Sequence, residues 1–404
     1  MKDEKKAPKL RFKGFTDDWE QCKLSDISEK SYEKNTYNKY STVLTNSAEY
    51  GIVKQRDFFD KDIANSSNIS GYYVVRKNYF VYNPRISNQA KFGPINRNKL
   101  DESGIMSPLY LVFTVHDIDE SFLETLFQTT TWHRFMYQNG DTGARADRFA
   151  IKDSTFMSMP IKVPSLEEQH KLALAFQKLD QTITLHEKKK RQLERLKSAL
   201  LKKMFADKSG YPAVRFKGFS DEWEQCKLGD ISYSYSGGTP KAGTRKYYNG
   251  KIPFIRSGEI SNGFTELTIT EDGLRNSAAK MVDKGDILYA LYGATSGEVS
   301  IARINGAINQ AIMAIKPFEG YDSYLLASLL QNNKTKITEK YLQGGQGNLS
   351  ATIVKNLKLK VPSSKEQKLI GILLLRLDRS ITLYKRKLEL LKRLKCSLLQ
   401  NMFI

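Results

Sequence analysis

The fold of this chain is decided by a stretch that occurs twice: PKLRFKGFTDDWEQCKLSDIS at residues 8–28, and PAVRFKGFSDEWEQCKLGDIS at residues 212–232. A second repeat follows each copy, because residues 161–205 match residues 359–403 at 20 of 45 positions. The period of roughly 200 residues is much longer than the roughly 20 to 50 residues of solenoid repeats. The sequence therefore predicts two domain-sized halves that arose by duplication.

The two halves differ between their repeated ends. Residues 29–160 and 233–358 have similar lengths but share no obvious run of identical residues. We interpret the repeated segments as a common frame and the unrepeated segments as the parts that confer specificity. A chain of 404 residues is also too long for one ordinary domain. The predicted boundaries are 1–164 and 208–362 for the two variable domains, with long helices at 165–207 and 363–404.

The composition narrows the class of protein. Lys and Arg number 64 against 44 Asp and Glu, and the formal net charge of +20 indicates a polyanionic partner. A hydrophobic fraction of 40% is sufficient for buried cores. The sequence has no long apolar run and no signal-peptide pattern, so we expect a cytoplasmic protein with no membrane association. Cys22, Cys226 and Cys396 form no Cys-x-x-Cys pair and are expected to be reduced thiols.

Each half ends in a segment with helical periodicity. Ser165 and Ser363 are placed to cap these helices. Glu167 and Glu168 lie in the first turn of one helix and Glu366 in that of the other, where the helix dipole favours negative charge. Some forty helical residues would form a rod of about 60 Å. The apolar positions recur three and four residues apart; they are Leu172, Phe176, Leu179, Ile183, Leu193, Leu196, Leu200 and Met204, then Ile370, Leu374, Leu377, Ile381, Leu391, Leu394, Leu398 and Met402.

Connectivity favours an antiparallel coiled coil of the two helices. The first helix must end where the second variable domain begins, and the second helix starts where that domain ends. Charge agrees, because residues 186–203 carry a net +6 and residues 384–401 a net +5, and antiparallel packing separates them. Two independent amphipathic helices, each covering its own domain, are the alternative. The basic runs could be solvated helix faces or contacts to DNA or a partner.

The variable segments combine strand and helix patterns. Runs of β-branched and aromatic residues predict strands at 72–82, 109–115, 251–255 and 285–292, and helical spacing occurs at 121–127 and 321–330. The predicted fold is therefore α+β, with two mixed α/β domains joined by two long antiparallel coiled-coil helices in a pseudo-twofold internal duplication.

Polar loops between the predicted strands carry groups suited to DNA. Arg and Lys suit phosphates and guanine, while Asn and Gln suit adenine. The loops are residues 83–91, 139–148, 237–246 and 343–348. The candidate DNA-binding residues are Arg85, Lys91, Arg145 and Arg148 for one half-site, and Lys241, Arg245, Lys246 and Arg256 for the other. An ordinary solvated loop is the alternative interpretation at each position.

No catalytic or metal-binding motif is visible in the sequence. Thr244 stands where a P-loop requires Lys, and Asn83-Pro84-Arg85 lacks the second Pro and the aromatic residue of an aminomethyltransferase motif, so it predicts a turn. The Glu-x-Lys triplets at 187–189 and 366–368 have nuclease spacing but lie on the long helices, and we interpret both as surface charge. The four histidines are scattered. We therefore expect no catalytic residue, and no metal or cofactor bound by this chain.

Specific motifs frame each variable domain. An Arg-Phe-x-Gly-Phe…Trp-Glu segment precedes each domain, and a Val-Pro…Glu-Gln helix follows it. The first half adds Ser-Pro-Leu-Tyr at 107–110, and the second adds Gly-Thr-Pro at 238–240 and Ile-Pro-Phe at 252–254. Over the whole chain, these motifs resemble the specificity subunit of type I restriction-modification systems. The resemblance implies that the variable domains are DNA target recognition domains and that the helices are spacers between them.

The resemblance also implies a mode of action. A non-catalytic subunit would recognise an asymmetric, two-part site in double-stranded DNA, with half-sites about one helical turn, roughly 34 to 36 Å, apart. Two adenine-N6 methyltransferase subunits would bind S-adenosylmethionine, flip the base and transfer the methyl group. Two restriction subunits, nuclease-translocases that use ATP and Mg, could join them.

Two other functional classes remain as alternatives. The first is a scaffold or inhibitor that docks the methyltransferase through its coiled coil without specific DNA recognition. The second is an enzyme acting on nucleic acid, which the missing motifs disfavour.

Overall fold

The computed structural model describes residues 6–58, 66–142, 147–342 and 348–404, and it divides into two compact units. The first unit extends to His186 and also contains Lys387–Ile404, while the second consists of Glu187–Arg386. Each unit therefore combines one variable domain and the start of its own long helix with the end of the other long helix. No helix in the described ranges is long and apolar enough to cross a membrane.

The first unit is built from short strands and helices around one long helix. Its strands are β1 (Glu20–Lys23), β2 (Ser28–Lys30), β3 (Leu44–Ser47), β4 (Gly51–Lys54), β5 (Tyr73–Val75), β6 (Phe80–Tyr82), β7 (Ile95–Arg97), β8 (Gly104–Met106), β9 (Leu111–Val115), β10 (Asp141–Thr142), β11 (Phe149–Ala150) and β12 (Pro160–Val163). Its helices are α1 (Gln55–Phe58), α2 (Glu120–Phe127), α3 (His133–Asn139), α4 (Asp153–Met157) and the start of α5 (Leu166–Lys203).

The second unit has a comparable set of elements. Its strands are β13 (Glu224–Lys227), β14 (Ser232–Ser236), β15 (Tyr248–Ile255), β16 (Leu267–Ile269), β17 (Lys280–Val282), β18 (Ile287–Ala290), β19 (Val299–Ile301), β20 (Gly306–Ile308), β21 (Ile312–Pro317) and β22 (Lys358–Val361). Its helices are α6 (Glu271–Arg275), α7 (Ser323–Asn332), α8 (Lys334–Tyr341), α9 (Ala351–Lys355) and the start of α10 (Ser364–Met402).

A four-stranded antiparallel sheet organises each unit. The order is β2-β9-β6-β7 in the first unit and β14-β21-β18-β19 in the second. A second four-stranded sheet in the second unit, β16-β15-β20-β17, is mixed because β15 and β20 are parallel. The repeated segments pair as two-stranded ladders, β1 with β12 and β13 with β22. The α+β fold that the sequence predicts is confirmed.

Successive side chains of a strand point to opposite faces of its sheet. In each organising sheet, both of these faces are buried. In β9, Leu111 and Phe113 pack in the cluster that contains the long helices, whereas Val112 packs in a separate cluster with Leu44. In β21, Met313 belongs to the cluster with the long helices and Ala314 to a separate one. One face thus contacts the duplicated frame, and the other supports the smaller sheets and loops.

The segment 72–82, predicted as one strand, forms two strands in the structure. The chain leaves β5 at Val75 and enters β6 at Phe80. Asn78 between them has a φ of 69°, a left-handed conformation that Asn tolerates better than β-branched or aromatic residues. The two strands belong to different sheets, and the run of β-forming residues therefore conceals a turn.

The two long helices run antiparallel where they meet inside each unit. In the first unit, Lys395 on α10 pairs with Asp180 on α5 at 2.6 Å, and the rings of Phe403 and Phe176 lie 5.7 Å apart. The equivalent pair in the second unit joins Lys197 and Asp378, also at 2.6 Å. The predicted antiparallel packing is confirmed within each unit.

Two positions that the helical pattern placed among the apolar contacts are exposed instead. Leu196 on α5 is 48% exposed and Leu394 on α10 is 49% exposed. They occupy equivalent positions in the two repeats. The three- and four-residue spacing assigns residues to one side of a helix, but it cannot tell which of them another segment covers.

A buried ion pair holds the first turn of each long helix. Arg11 donates from Nε and Nη2 to the two carboxylate oxygens of Glu168, at 2.8 and 2.7 Å. Arg215 makes the same two bonds to Glu366, at 2.9 and 2.8 Å. The side chains of both glutamates are only 1% exposed. The sequence-based interpretation of Glu366 as surface charge is therefore wrong, because its arginine partner lies 151 positions away in the chain.

The glutamine that follows each buried glutamate connects the long helix to the variable domain. Gln169 accepts a hydrogen bond from the backbone N–H of Asp119 at 2.9 Å, and Gln367 accepts one from Asp322 at 3.0 Å. Each of these aspartates caps a helix of its domain, α2 or α7. We call Arg11, Glu168, Gln169 and Asp119 the first helix joint, and Arg215, Glu366, Gln367 and Asp322 the second.

The end of the chain lies in the core of the first unit. Phe403 is 4% exposed, and its ring contacts those of Trp19, Phe122 and Phe176 at centroid distances of 6.1, 5.6 and 5.7 Å. The backbone N–H of Leu10 donates to the carbonyl of Asn401 at 2.9 Å. The last residues are therefore part of the hydrophobic core of the first variable domain.

This arrangement predicts that a change at Phe403 destabilises the first unit, although most of that unit lies more than 200 positions earlier in the chain. Phe403→Ala should cost about 3 to 5 kcal/mol of the free energy of unfolding of the first unit, because it leaves a cavity among three aromatic rings. Hydrogen exchange followed by mass spectrometry should accelerate at residues 111–127 and stay protected at 312–317. Leu394→Ala, on the exposed side of the helix α10 that ends one residue before Phe403, is the matched control. Equal loss of protection in both units would contradict the assignment.

Candidate nucleic-acid interface

In the first variable domain, a short backbone ladder joins the two loops that the sequence singled out. The N–H of Ile86 donates to the carbonyl of Asp147 at 3.0 Å, and the N–H of Phe149 donates to the carbonyl of Pro84 at 2.8 Å. Arg85 and Arg148 are the paired residues between these two bonds. Two arginines from loops 63 positions apart are therefore placed opposite each other.

Both guanidinium groups are available to an external anion. Arg85 and Arg148 are exposed, and within the described ranges neither has a hydrogen-bond or ion-pair partner for its side chain. The third arginine of this predicted set, Arg145, lies outside the described residues. The backbone around Arg85 is fixed, because Asn83 Oδ1 accepts the N–H of Arg85 at 3.0 Å and forms the predicted turn.

Lys91 lies on the same loop as Arg85, near the point where the loop closes. The N–H of Asn83 donates to the carbonyl of Pro94 at 3.0 Å. Gly93 permits this closure, because its φ is 83° and an added Cβ would lie 2.0 Å from the carbonyl oxygen of Asn83. Lys91 is exposed above the Phe92 ring. Burial lowers the pKa of His133, and the positive charge of Lys91 lowers this pKa as well.

In the second variable domain, a glycine pair brings the basic loop against β20. An added Cβ on Gly237 would lie 1.9 Å from the carbonyl oxygen of Ile308, so only glycine permits this approach. The loop then turns at Lys241, whose carbonyl accepts the N–H of Thr244. Arg245 and Lys246 follow in a short 3₁₀ turn. All three basic side chains are exposed, and none has an ion-pair partner among the described residues.

Arg256 differs from the other predicted contacts because its charge is already paired. Its guanidinium binds Glu259 at 3.0 Å and also contacts the carboxylate of Glu266. Hydrogen bonds to these two carboxylates raise the pKa of Arg256. The pairing orders the turn after β15, which favours a structural role over a DNA contact at this position.

A hydrogen bond connects Thr239 in the basic loop of the second domain to Gln310, which sequence reasoning did not select. The hydroxyl of Thr239 donates to Oε1 of Gln310 at 2.6 Å, and both side chains are exposed. This bond orients the amide, and its N–H groups have no acceptor among the residues that the structure describes. An oriented Gln amide is suited to the edge of adenine. The only signal in the sequence was the Gly-Gly-Thr loop itself, since Gln310 follows a strand 71 positions away.

Comparison with known families identifies the repeated architecture. A family model described as the type I restriction modification DNA specificity domain matches residues 16–195 and again residues 220–393. The chain belongs to this family. Each match covers one half of the duplication, so the chain carries two specificity domains. The family predicted from the sequence is confirmed, and the relatives and structures that this chain resembles are named specificity subunits.

Individual relatives agree with the family assignment. The type I restriction enzyme MjaIX specificity subunit of Methanocaldococcus jannaschii is 29% identical over 194 residues, which is 45% of this chain and 44% of the relative. The putative MjaX specificity subunit of the same organism is 25% identical over 61% of this chain and 59% of the relative. The chain thus matches about half the length of these two relatives. The HindI specificity subunit of Haemophilus influenzae is 21% identical over 90% of this chain and 95% of the relative.

Solved structures support the fold of the specificity chain. The type I restriction-modification S subunit from M. genitalium superposes with a TM-score of 0.65 at 15% identity, covering 98% of this chain and 99% of that one. A chain from a study of complex assembly and conformational transition of the type I R-M system has a TM-score of 0.50 at 15% identity, with 96% and 98% covered.

The facing arginines of the first domain give a direct test of the interface. Arg85→Ala combined with Arg148→Ala should weaken DNA binding by the assembled complex. If both contact phosphates, the slope of log affinity against log salt should fall by about 0.9 per contact. If one contacts a base, the loss should be about 1 to 3 kcal/mol at a single position of the site.

Fluorescence anisotropy at several salt concentrations would measure both effects. Lys77→Ala is the matched control, because Lys77 precedes β6 whereas Arg85 follows it, and its ammonium pairs with Asp101 at 2.7 Å. Unchanged affinity, salt slope and site preference in the double variant would remove both arginines from the interface.

Proposed function

We propose that this specificity chain recognises an asymmetric, two-part sequence in double-stranded DNA and directs adenine-N6 methylation there by partner subunits. One observation carries the proposal: two diverged domains stand on one duplicated frame, and each exposes cations that have no carboxylate partner among the described residues. Since the two domains differ in sequence, the two parts of the site differ as well. The chain supplies recognition, and the chemistry belongs to its partners.

The proposed division of labour follows from the groups on each domain. Arg85, Lys91 and Arg148 would contact one half-site, and Lys241, Arg245 and Lys246 the other. Arginine and lysine attract any DNA through its phosphates, so they alone give affinity rather than specificity. Oriented amides such as Gln310 are needed for the choice of base. We therefore propose Gln310 as a base contact in the second half-site.

The partners that we propose are two methyltransferase subunits, which would bind S-adenosylmethionine. Matched leucines support two copies of one partner, because Leu185 and Leu394 in the first unit correspond to Leu383 and Leu196 in the second. Their exposed fractions agree closely, at 64% and 49% against 66% and 48%. We propose that the partner covers these leucines in the assembly. Two restriction subunits using ATP and Mg could join this complex, which would act on DNA in the cytoplasm.

The proposed function is tested by sequencing modified bases. The chain and its methyltransferase partner should be expressed together in a host that lacks its own DNA methylation, with the partner alone as control. We expect N6-methyladenine in a gapped, two-part motif that disappears when this chain is omitted. A soluble complex that leaves no motif would overturn the proposal and favour the scaffold or inhibitor alternative. Methylation by the isolated chain would favour the enzyme alternative.

The matched leucines predict the stoichiometry of the complex. Replacing Leu185 and Leu394 with Glu should remove one methyltransferase copy, because a charge on a buried contact must be desolvated. Replacing all four leucines should remove both copies. Native mass spectrometry would count the copies, and Leu109→Glu, an exposed leucine on the first variable domain, is the control. Two retained copies in the fourfold variant would contradict the assignment.

A further inference from the structure

Both helix joints have the same construction, although the domains they hold have diverged. Each contains a bidentate Arg–Glu pair and a glutamine that accepts the N–H of a capping aspartate, with donor–acceptor distances between 2.7 and 3.0 Å. Arg11 and Arg215 lie in the repeated segments before the domains, whereas Asp119 and Asp322 lie in the variable segments. The same geometry therefore connects two different domains to the frame.

A buried ion pair is a poor device for stability alone. Removing two charges from water is costly, and well-packed apolar residues of similar volume are often as stabilising or more so. A planar guanidinium that bonds both oxygens of a carboxylate, however, fixes distance and orientation together. At 1% exposure, Glu168 and Glu366 have no water to replace a lost partner. Orientation is the property that this construction supplies better than an apolar contact.

Each joint connects three segments at one point. Arg11 comes from the segment before β1, Glu168 and Gln169 from the first turn of α5, and Asp119 from the cap of α2. Helix α2 packs on the organising sheet through Phe122 and Leu126, in the cluster that also contains Phe80 of β6. Strand β6 leads directly into the turn that carries Arg85. The joint therefore fixes the direction of the long helix relative to the DNA-binding loops of the same unit.

From this geometry we infer that the helix joints are positioning residues for DNA-gap recognition. They hold each recognition domain at one angle to its spacer helix, and so they determine which gap between the two half-sites the complex accepts. The joints contact no DNA themselves. This inference rests on the proposed function, and it adds that gap length depends on joint rigidity as well as on helix length.

The test separates gap recognition from base recognition. DNA libraries would carry the two half-sites with the native gap or with gaps one or two base pairs shorter or longer. The complete complex would contain wild-type chain, Arg11→Lys, or Arg11→Leu combined with Glu168→Leu. Lysine keeps the charge but loses the bidentate bond, and the leucine pair leaves no charge buried alone. Lys171→Ala is the control, because Lys171 pairs with Glu167 on the exposed side of the same helix turn.

We expect the ratio of methylation at wrong gaps to methylation at the native gap to rise about tenfold or more in both joint variants, because positioning errors near 1 Å strongly change rates. Base preferences within each half-site should stay as in the wild type and in Lys171→Ala. Folded, assembled variants with an unchanged gap ratio would overturn the inference, as would variants that lose base preference together with gap preference. If the wild-type complex produces no two-part motif, the proposed function fails and this inference fails with it.

Discussion

Burying a charged carboxylate in an apolar interior is costly unless a cation pairs with it. This constraint applies twice in the chain. Glu168 and Glu366 lie at the start of the long helices, so Arg11 and Arg215 must be brought back to them across an entire domain. Strand β1 pairs with β12, and β13 pairs with β22, so each arginine segment lies beside the strand that precedes the long helix. In each half, the repeated segment before the variable domain thus contacts the repeated segment after it.

The two-faced sheets explain how the domains could diverge on a common frame. One face of each organising sheet packs against the long helices, and its large apolar residues must fit that surface. Among the described residues, the opposite face packs in clusters formed by elements of its own domain, which can change together. In the second domain the basic loop lies against this independent part, where Gly237 approaches Ile308. In the first domain, Phe92 and Phe149 beside the basic loops belong to the cluster that contains the long helices.

Sequence reasoning succeeded where the information is local or repeated. The duplication, the helices, the Ser165 cap, whose Oγ accepts the N–H of Glu168, and the family all follow from spacing and identity. It failed where a partner lies far away in the chain or where a turn conformation selects the partner. Arg85 and Arg148 lie opposite each other because a backbone ladder joins two distant loops. Arg256 pairs with Glu259 because of the turn conformation after β15. Composition shows that a residue is charged, but only the fold shows whether that charge is already satisfied.

The position of Phe403 also determines the order in which the chain can fold during synthesis. The first variable domain leaves the ribosome before the second, yet its core lacks Phe403 until the second variable domain and α10 have been made. The second domain receives its corresponding residues, Met204 and Phe205, before its own strands emerge. Domains generally fold as units and N-terminal first during synthesis. Here the core of the first domain is completed only after the second domain has been synthesised, and a nascent chain that stops before Phe403 leaves that core open.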